Sequence, residues 1–103
     1  DVVGVTIPED HPEPEPVVLK FDKARFPYIL SKPMHSTQEV IDEAEHILSI
    51  FVRPNKELEA LILSYGSQVE VMRPEWLRRQ IKEKITEMYK KYSSVQKEHT
   101  EES

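Results

Sequence analysis

Residue types that carry out chemistry in proteins are sparse along this chain. Its four histidines are His11, His35, His46 and His99. No two of them have the His-x-x-x-His spacing that would place two imidazoles on one face of a helix. Cysteine is absent, which excludes disulfides, thiol nucleophiles and zinc–thiolate sites. Two glycines are too few for a phosphate-binding loop, and no serine lies in a Gly-x-Ser-x-Gly sequence. We therefore predict no catalytic residue, no metal site and no cofactor.

Adjacent carboxylates could act as a general acid–base pair if one of them were buried and its pKa raised. Asp42 and Glu43 are such neighbours, but they lie in a polar stretch between two predicted strands. That position is typical of a solvated turn, where neither acid is desolvated. We therefore expect a protein that is not an enzyme.

The polar segment 31–39 (Ser-Lys-Pro-Met-His-Ser-Thr-Gln-Glu) could hold interacting side chains on a loop. We predict His35 and Gln38 as contacts to a ligand or to a partner chain. The alternative is that both side chains hydrogen-bond to exposed backbone groups of the loop itself.

The last predicted helix is basic and could approach phosphates. Its bases are Arg73, Arg78, Arg79, Lys82, Lys84, Lys90 and Lys91, and its acids are Glu75, Glu83 and Glu87. We predict Arg78, Arg79 and Lys82 as contacts to a partner or to nucleic acid. The alternative is a solvated face on which acids and bases pair at a spacing of four residues.

The elements that would position these residues follow from periodicity and from proline, glycine and capping residues. They are strand 17–21, a short helix from residue 23, strands 38–41 and 47–52, helix 56–65, strand 68–72, and a helix from residue 74 to about residue 92. The order β-α-β-β-α-β is typical of a sheet covered by two helices on one side. We predict an α+β fold, a ferredoxin-like βαββαβ sandwich with an additional C-terminal helix.

Apolar stripes on these elements predict the core. Val17, Leu19 and Phe21 share one face of the first strand, and Ile50 and Phe51 in strand 47–52 are also expected to be buried. The stripe of helix 56–65 consists of Leu58, Leu61, Ile62 and Tyr65, and that of the last helix of Leu77, Ile81, Ile85, Met88 and Tyr92. Gly66 follows the first of these helices, where a left-handed C-terminal cap favours glycine.

Charge and composition predict three segments. Residues 1–16 hold five acids and no base, and the run Pro-Glu-Pro-Glu-Pro is typical of an extended linker. We predict that 1–16 is a linker and the end of a missing upstream domain, that 17–92 is the folded domain, and that 93–103 is a flexible tail. The net charge of −5 is thus concentrated at the ends. No apolar run is long enough to cross a membrane, and we expect a cytoplasmic protein.

Several strings in the chain are similar to one known family. They are Val-Val-Leu-Lys-Phe-Asp at 17–22, Met-His-Ser-Thr-Gln at 34–38, Val-Arg-Pro-Asn-Lys-Glu-Leu at 52–58 and Leu-Ser-Tyr-Gly-Ser-Gln-Val-Glu-Val-Met-Arg-Pro-Glu-Trp-Leu-Arg at 63–78. Over roughly residues 15–92 the chain resembles the C-terminal extension, or WCX domain, of bacterial WYL-domain transcriptional regulators. His35 and Gln38 match the family's His-x-x-Gln loop, and Arg78 matches its Leu-Arg.

The resemblance implies a regulatory or assembly domain that takes part in dimer formation or in the response to a ligand. It implies a homodimer, or contact with an upstream Sm-like WYL barrel, as the partner. The helix-turn-helix and the Trp-Tyr-Leu tripeptide of such regulators do not occur in this sequence. Two alternatives remain: a nucleic-acid-contacting domain that uses the basic C-terminal helix, and a small-molecule sensor.

Overall fold

The part of the chain that the structure describes forms a four-stranded sheet with three α-helices. The computed structural model describes the backbone of residues 13–102 and the side chains of residues 13–93. Its elements are β1 (Glu15–Phe21), α1 (Phe26–Ser31), β2 (Glu39–Asp42), β3 (Ile47–Val52), α2 (Lys56–Ser64), a 3₁₀ turn (Gly66–Gln68), β4 (Val69–Arg73) and α3 (Glu75–Glu102). The predicted order of elements is thus observed. Most of the predicted linker, and the side chains of most of the predicted tail, lie outside the described residues.

The sheet is antiparallel throughout, with the order β2-β3-β1-β4. Val17 lies opposite Ile50 on β3, and Leu19 lies between Leu48 on β3 and Val71 on β4. Because side chains alternate between the two faces of a strand, this register gathers all five on one face. The predicted α+β fold is therefore confirmed, with β1 and β3 at its centre.

All three helices contribute to a single core on that face of the sheet. The buried apolar residues are Val17, Leu19, Phe21, Phe26, Ile29, Leu48, Ile50, Leu58, Ile62, Val71, Leu77 and Ile81. Burying each large apolar side chain contributes about 1.5–3 kcal/mol, which offsets the entropy lost on ordering the chain. The predicted inward face of β1 is confirmed.

The bounds of α2 have local causes. The Asn55 side chain accepts a hydrogen bond from the backbone N–H of Leu58 at 2.8 Å, which satisfies one of the free donors at the helix start. The helix ends before Gly66, whose φ of 64° lies in the left-handed region predicted for it. The predicted stripe is wrong at Leu61, whose side chain is 37% exposed.

The core prediction is also wrong at Phe51, because its side chain is 52% exposed. It follows the buried Ile50 and therefore points to the opposite face of the sheet, which no described helix covers. On that face Lys20 and Glu45 form an exposed ion pair at 3.1 Å. The alternation of the strand was predictable, but which of its two faces the helices would cover was not.

The largest difference from the sequence prediction concerns α3. It has 28 residues and continues past the predicted end at Tyr92 to Glu102. A helix of that length spans about 42 Å, whereas the five residues of β4 span about 17 Å. Leu77 and Ile81 are buried against the sheet, but Ile85 is 52% exposed. The stripe therefore continues beyond the surface that could bury it.

Candidate interaction surfaces

Gln38 holds the loop between α1 and β2 in place. Its side-chain carbonyl oxygen accepts a hydrogen bond from the backbone N–H of Met34 at 2.9 Å, and its Nε2 donates to the carbonyl of Ile29 at 3.2 Å. Such contacts are expected from the alternative interpretation of Gln38, in which its side chain hydrogen-bonds to backbone groups of the loop. Since both polar atoms are occupied, the amide is a brace for the loop, and its role toward a ligand or partner stays a prediction.

Thr37 and His35 attach the same loop to β3. The Thr37 hydroxyl accepts a hydrogen bond from the Phe51 N–H at 2.8 Å and lies 3.3 Å from the Phe51 carbonyl, so it extends the pairing of β3 beyond the start of β2. His35 Nδ1 accepts a hydrogen bond from the Thr37 N–H at 3.2 Å. Its Nε2 has no partner among the described residues and stays available for a contact.

His35 borders a groove of about 530 Å³ between this loop, the end of β3 and α2. The groove is lined by Pro14, Met34, His35, Ile50, Phe51, Val52, Arg53, Asn55, Glu57, Leu58 and Leu61. Its volume falls within the range of small-molecule sites, roughly 300–1,000 Å³. We refer to it as the β3–α2 groove. Two residues for which the core prediction failed, Phe51 and Leu61, both line it.

The predicted basic residues of α3 have different surroundings in the structure. Arg78 Nη1 donates to Glu70 Oε2 and to the carbonyl oxygen of Val71, each at 2.8 Å. It therefore fastens α3 to the edge strand β4. Arg79 and Lys82 form no ion pair with any residue whose side chain is described, and both border a shallow groove of about 450 Å³.

The outer half of α3, defined as residues 85–92, carries the most exposed apolar surface of that helix. The exposed fractions are 52% for Ile85, 47% for Met88, 71% for Tyr89 and 72% for Tyr92. Where this half leaves the sheet, it forms an apolar recess of about 320 Å³ with the end of α2 and the start of β4. We refer to this as the α3 recess. Leu63, Val69, Ile85 and Met88 are among the residues that line it.

Two buried or half-buried groups were missed by the sequence analysis. Glu59 on α2 is only 7% exposed, and its Oε2 has no hydrogen-bond partner in the described part of the chain. Its position next to Leu58, in the buried stripe of α2, could have predicted that the Glu59 side chain is buried. Tyr65 packs edge-on against Phe21, and this burial raises the pKa of its hydroxyl above the usual value of 10.0, while Arg25 partly opposes the shift.

Comparison with protein families decides what kind of domain this is. The family model of the WCX domain matches residues 13–89, which is most of the chain. The chain belongs to the WCX family. WCX domains are the C-terminal extensions of WYL-type transcription regulators, so the resemblance in the sequence is confirmed. No curated protein sequence matches the chain.

Membership in the WCX family suggests a regulatory domain rather than an enzyme. Across residues 13–102, every helix is too short or too polar to cross a membrane. The side chains described for this WCX domain form no group of three or more acids and histidines that could hold a metal ion. The site residues predicted from the sequence stay predictions.

Proposed function

We propose that this WCX domain is an assembly module, which pairs with a second copy through the outer half of α3. We also propose that its fold is ferredoxin-like. The antiparallel order β2-β3-β1-β4, with α1 and α2 each following a central strand, supports that assignment. The observation that carries the assembly role is the stripe of α3, which is buried at Ile81 and exposed from Ile85 onward.

The spacing of the stripe suits a helix–helix interface. Ile81, Ile85, Met88 and Tyr92 are separated by four, three and four residues. This is the a/d spacing with which two helices pack side chains into the gaps of the partner. The outer half of α3 leaves the sheet at the start of β4, and its stripe residues Ile85, Met88 and Tyr92 are between 47% and 72% exposed.

This surface offers both a projecting side chain and a recess that could receive it. Tyr92 projects from the helix, while the α3 recess lies next to Ile85 and Met88. In an antiparallel pair, Ile85 would lie opposite the partner's Met88, and Tyr92 would lie next to the partner's recess. A two-fold interface of this kind uses the same patch on both subunits.

The charges beside the stripe predict how the pair responds to salt. In the antiparallel arrangement Lys84 approaches the partner's Lys91, so like charges oppose association. Both lysines are exposed, and the repulsion is therefore screened by salt. We expect the dimer to become tighter as ionic strength rises.

Sedimentation equilibrium tests this proposal. We expect a dimer with a dissociation constant on the order of 10 µM, because one exposed stripe lies at the small end of specific interfaces. Ile85→Lys places a charge within the interface and should yield a monomer. Thr86→Lys, on the other side of the helix, is the control and should still dimerise. A wild-type chain that is monomeric at high concentration and high salt would rule the proposal out.

Nucleic-acid contact is a second candidate function, because Arg79 and Lys82 form no ion pair with the side chains of residues 13–93. Glu83 and Glu87 border the same shallow groove and oppose it. If this candidate is right, binding of single-stranded DNA weakens steeply with salt, because phosphate contacts release counterions. Reversing the charges of Arg79 and Lys82 should then abolish binding. The opposite salt dependences separate the two functions.

A further inference from the structure

We propose that the β3–α2 groove binds a small zwitterion with an apolar side chain, such as an apolar α-amino acid. This goes beyond the assembly role and uses none of the α3 residues. The groove has an apolar floor, and its rim carries a cation and an anion, neither of which is in an ion pair with a side chain that the structure describes.

The floor is apolar and built on rigid elements. Ile50 and Leu58 are buried at its base, and the partly exposed side chains of Met34, Val52 and Leu61 belong to residues that line it. A phenyl or branched aliphatic group placed there would cover apolar surface that is otherwise in contact with water. The floor therefore recognises the apolar part of the ligand.

The rim carries opposite charges that the protein does not use. Arg53 follows directly on β3 and Glu57 lies in the first turn of α2, and both side chains line the groove. Neither side chain has an ion pair or hydrogen bond with another described residue. A guanidinium binds carboxylates through parallel hydrogen bonds, and a carboxylate accepts hydrogen bonds from ammonium. The pair thus fits the two charged groups of an amino acid.

The segment between these two residues is fixed in place. Pro54 is fully buried, and the Asn55 side chain caps α2 through the Leu58 N–H at 2.8 Å. On the other side of the groove, the bonds of Thr37 to Phe51 hold the loop that carries His35. Because the backbone under the rim is rigid, a ligand would not have to order it on binding.

Amide NMR spectra of the nitrogen-labelled chain test the proposal, with three probes that share a phenyl ring. L-phenylalanine carries both charges, 3-phenylpropionate lacks the ammonium, and phenethylamine lacks the carboxylate. We expect L-phenylalanine to shift the amides of Phe51, Arg53 and Leu58 saturably, with a dissociation constant on the order of 1 mM for a ligand of this size. Each analogue should bind about twofold to fivefold more weakly, as expected for exposed ionic contacts.

Two variants assign the charges. Arg53→Gln should remove the advantage of L-phenylalanine over phenethylamine, and Glu57→Gln should remove its advantage over 3-phenylpropionate. Lys56→Gln and Glu75→Gln change the same charges outside the groove and should leave all three affinities unchanged. The proposal is overturned if L-phenylalanine gives no saturable shifts, if the shifts map to the α3 recess, or if the zwitterion binds no better than its analogues. A groove that accepts only a protein partner would give the first of these results.

Discussion

The two halves of α3 have the same sequence pattern and different surroundings. Leu77 and Ile81 in the inner half are 1% and 7% exposed, whereas Ile85 and Met88 in the outer half are 52% and 47% exposed. The apolar period does not change between them. What changes is that β4 ends, so the outer half has no strand beneath it. An amphipathic stripe therefore indicates that a surface needs a partner, and the extent of the sheet decides whether the same chain supplies it.

The comparison predicts unequal effects of truncating the stripe. Leu77→Ala should lower the free energy of unfolding by about 2–5 kcal/mol, because it removes buried contacts and leaves a cavity. Ile85→Ala should change that of the monomer by about 0.5 kcal/mol or less. Urea unfolding at low protein concentration measures both. Equal losses would mean that the outer half packs within its own chain.

Glu59 on α2 is buried and Glu83 on α3 is exposed, so the same substitution should affect them differently. Glu59→Met keeps the length of the side chain and removes the unpartnered Oε2, so we expect a gain of about 1 kcal/mol in unfolding free energy. Glu83→Met on the exposed surface of α3 is the matched control and should change it by about 0.5 kcal/mol or less. A loss of stability in Glu59→Met would show that the carboxylate has a stabilising partner.

Arg78 and Arg79 are neighbours with different surroundings. Arg78→Ala removes the ion pair to Glu70 and the hydrogen bond to Val71, and we expect a loss of about 1 kcal/mol because both contacts are partly exposed. Arg79→Ala removes no described contact and should leave the unfolding free energy unchanged. Thermal unfolding of the two variants at low and high salt measures the difference. An equal loss of unfolding free energy in both variants would contradict a stabilising role of the Arg78 contacts with Glu70 and Val71.

The smallest expected effect comes from the hydroxyl group of Tyr65. Burial raises the pKa of Tyr65, so the folded protein holds its proton more tightly than the unfolded chain does. The stability from this group is complete below the unfolded pKa of 10.0 and is lost as pH rises through the raised value. In Tyr65→Phe the decline in unfolding free energy above pH 10.0 should be shallower than in the wild type. Unfolding titrations of both proteins across this pH range measure the difference, and an equal decline would contradict the raised pKa of Tyr65.

Much of the fold could be predicted from local signals. Alternation gave the face of β1, Asn55 and Gly66 marked the ends of α2, and the order of elements gave the α+β class. Phe51 and Ile85 were both wrongly predicted to be buried, and the cause is the same. The spacing of apolar residues shows which side chains share a face, but it does not show how far the neighbouring elements extend over that face. The β3–α2 groove was out of reach for a related reason. Arg53 and Glu57 lie close in the sequence, but only the packing of the His35 loop across from them creates a cavity.

Disulfide trapping tests the assembly role of α3 most directly, since the chain contains no cysteine. In the antiparallel pair Ile85 lies opposite the partner's Met88, so a mixture of Ile85→Cys and Met88→Cys chains brings one thiol of each chain close together. Under mild oxidation this mixture should form a covalent dimer rapidly, whereas Thr86→Cys, on the other side of the helix, should stay largely monomeric. Equal and slow cross-linking of the mixture and of Thr86→Cys would contradict pairing through the outer half of α3.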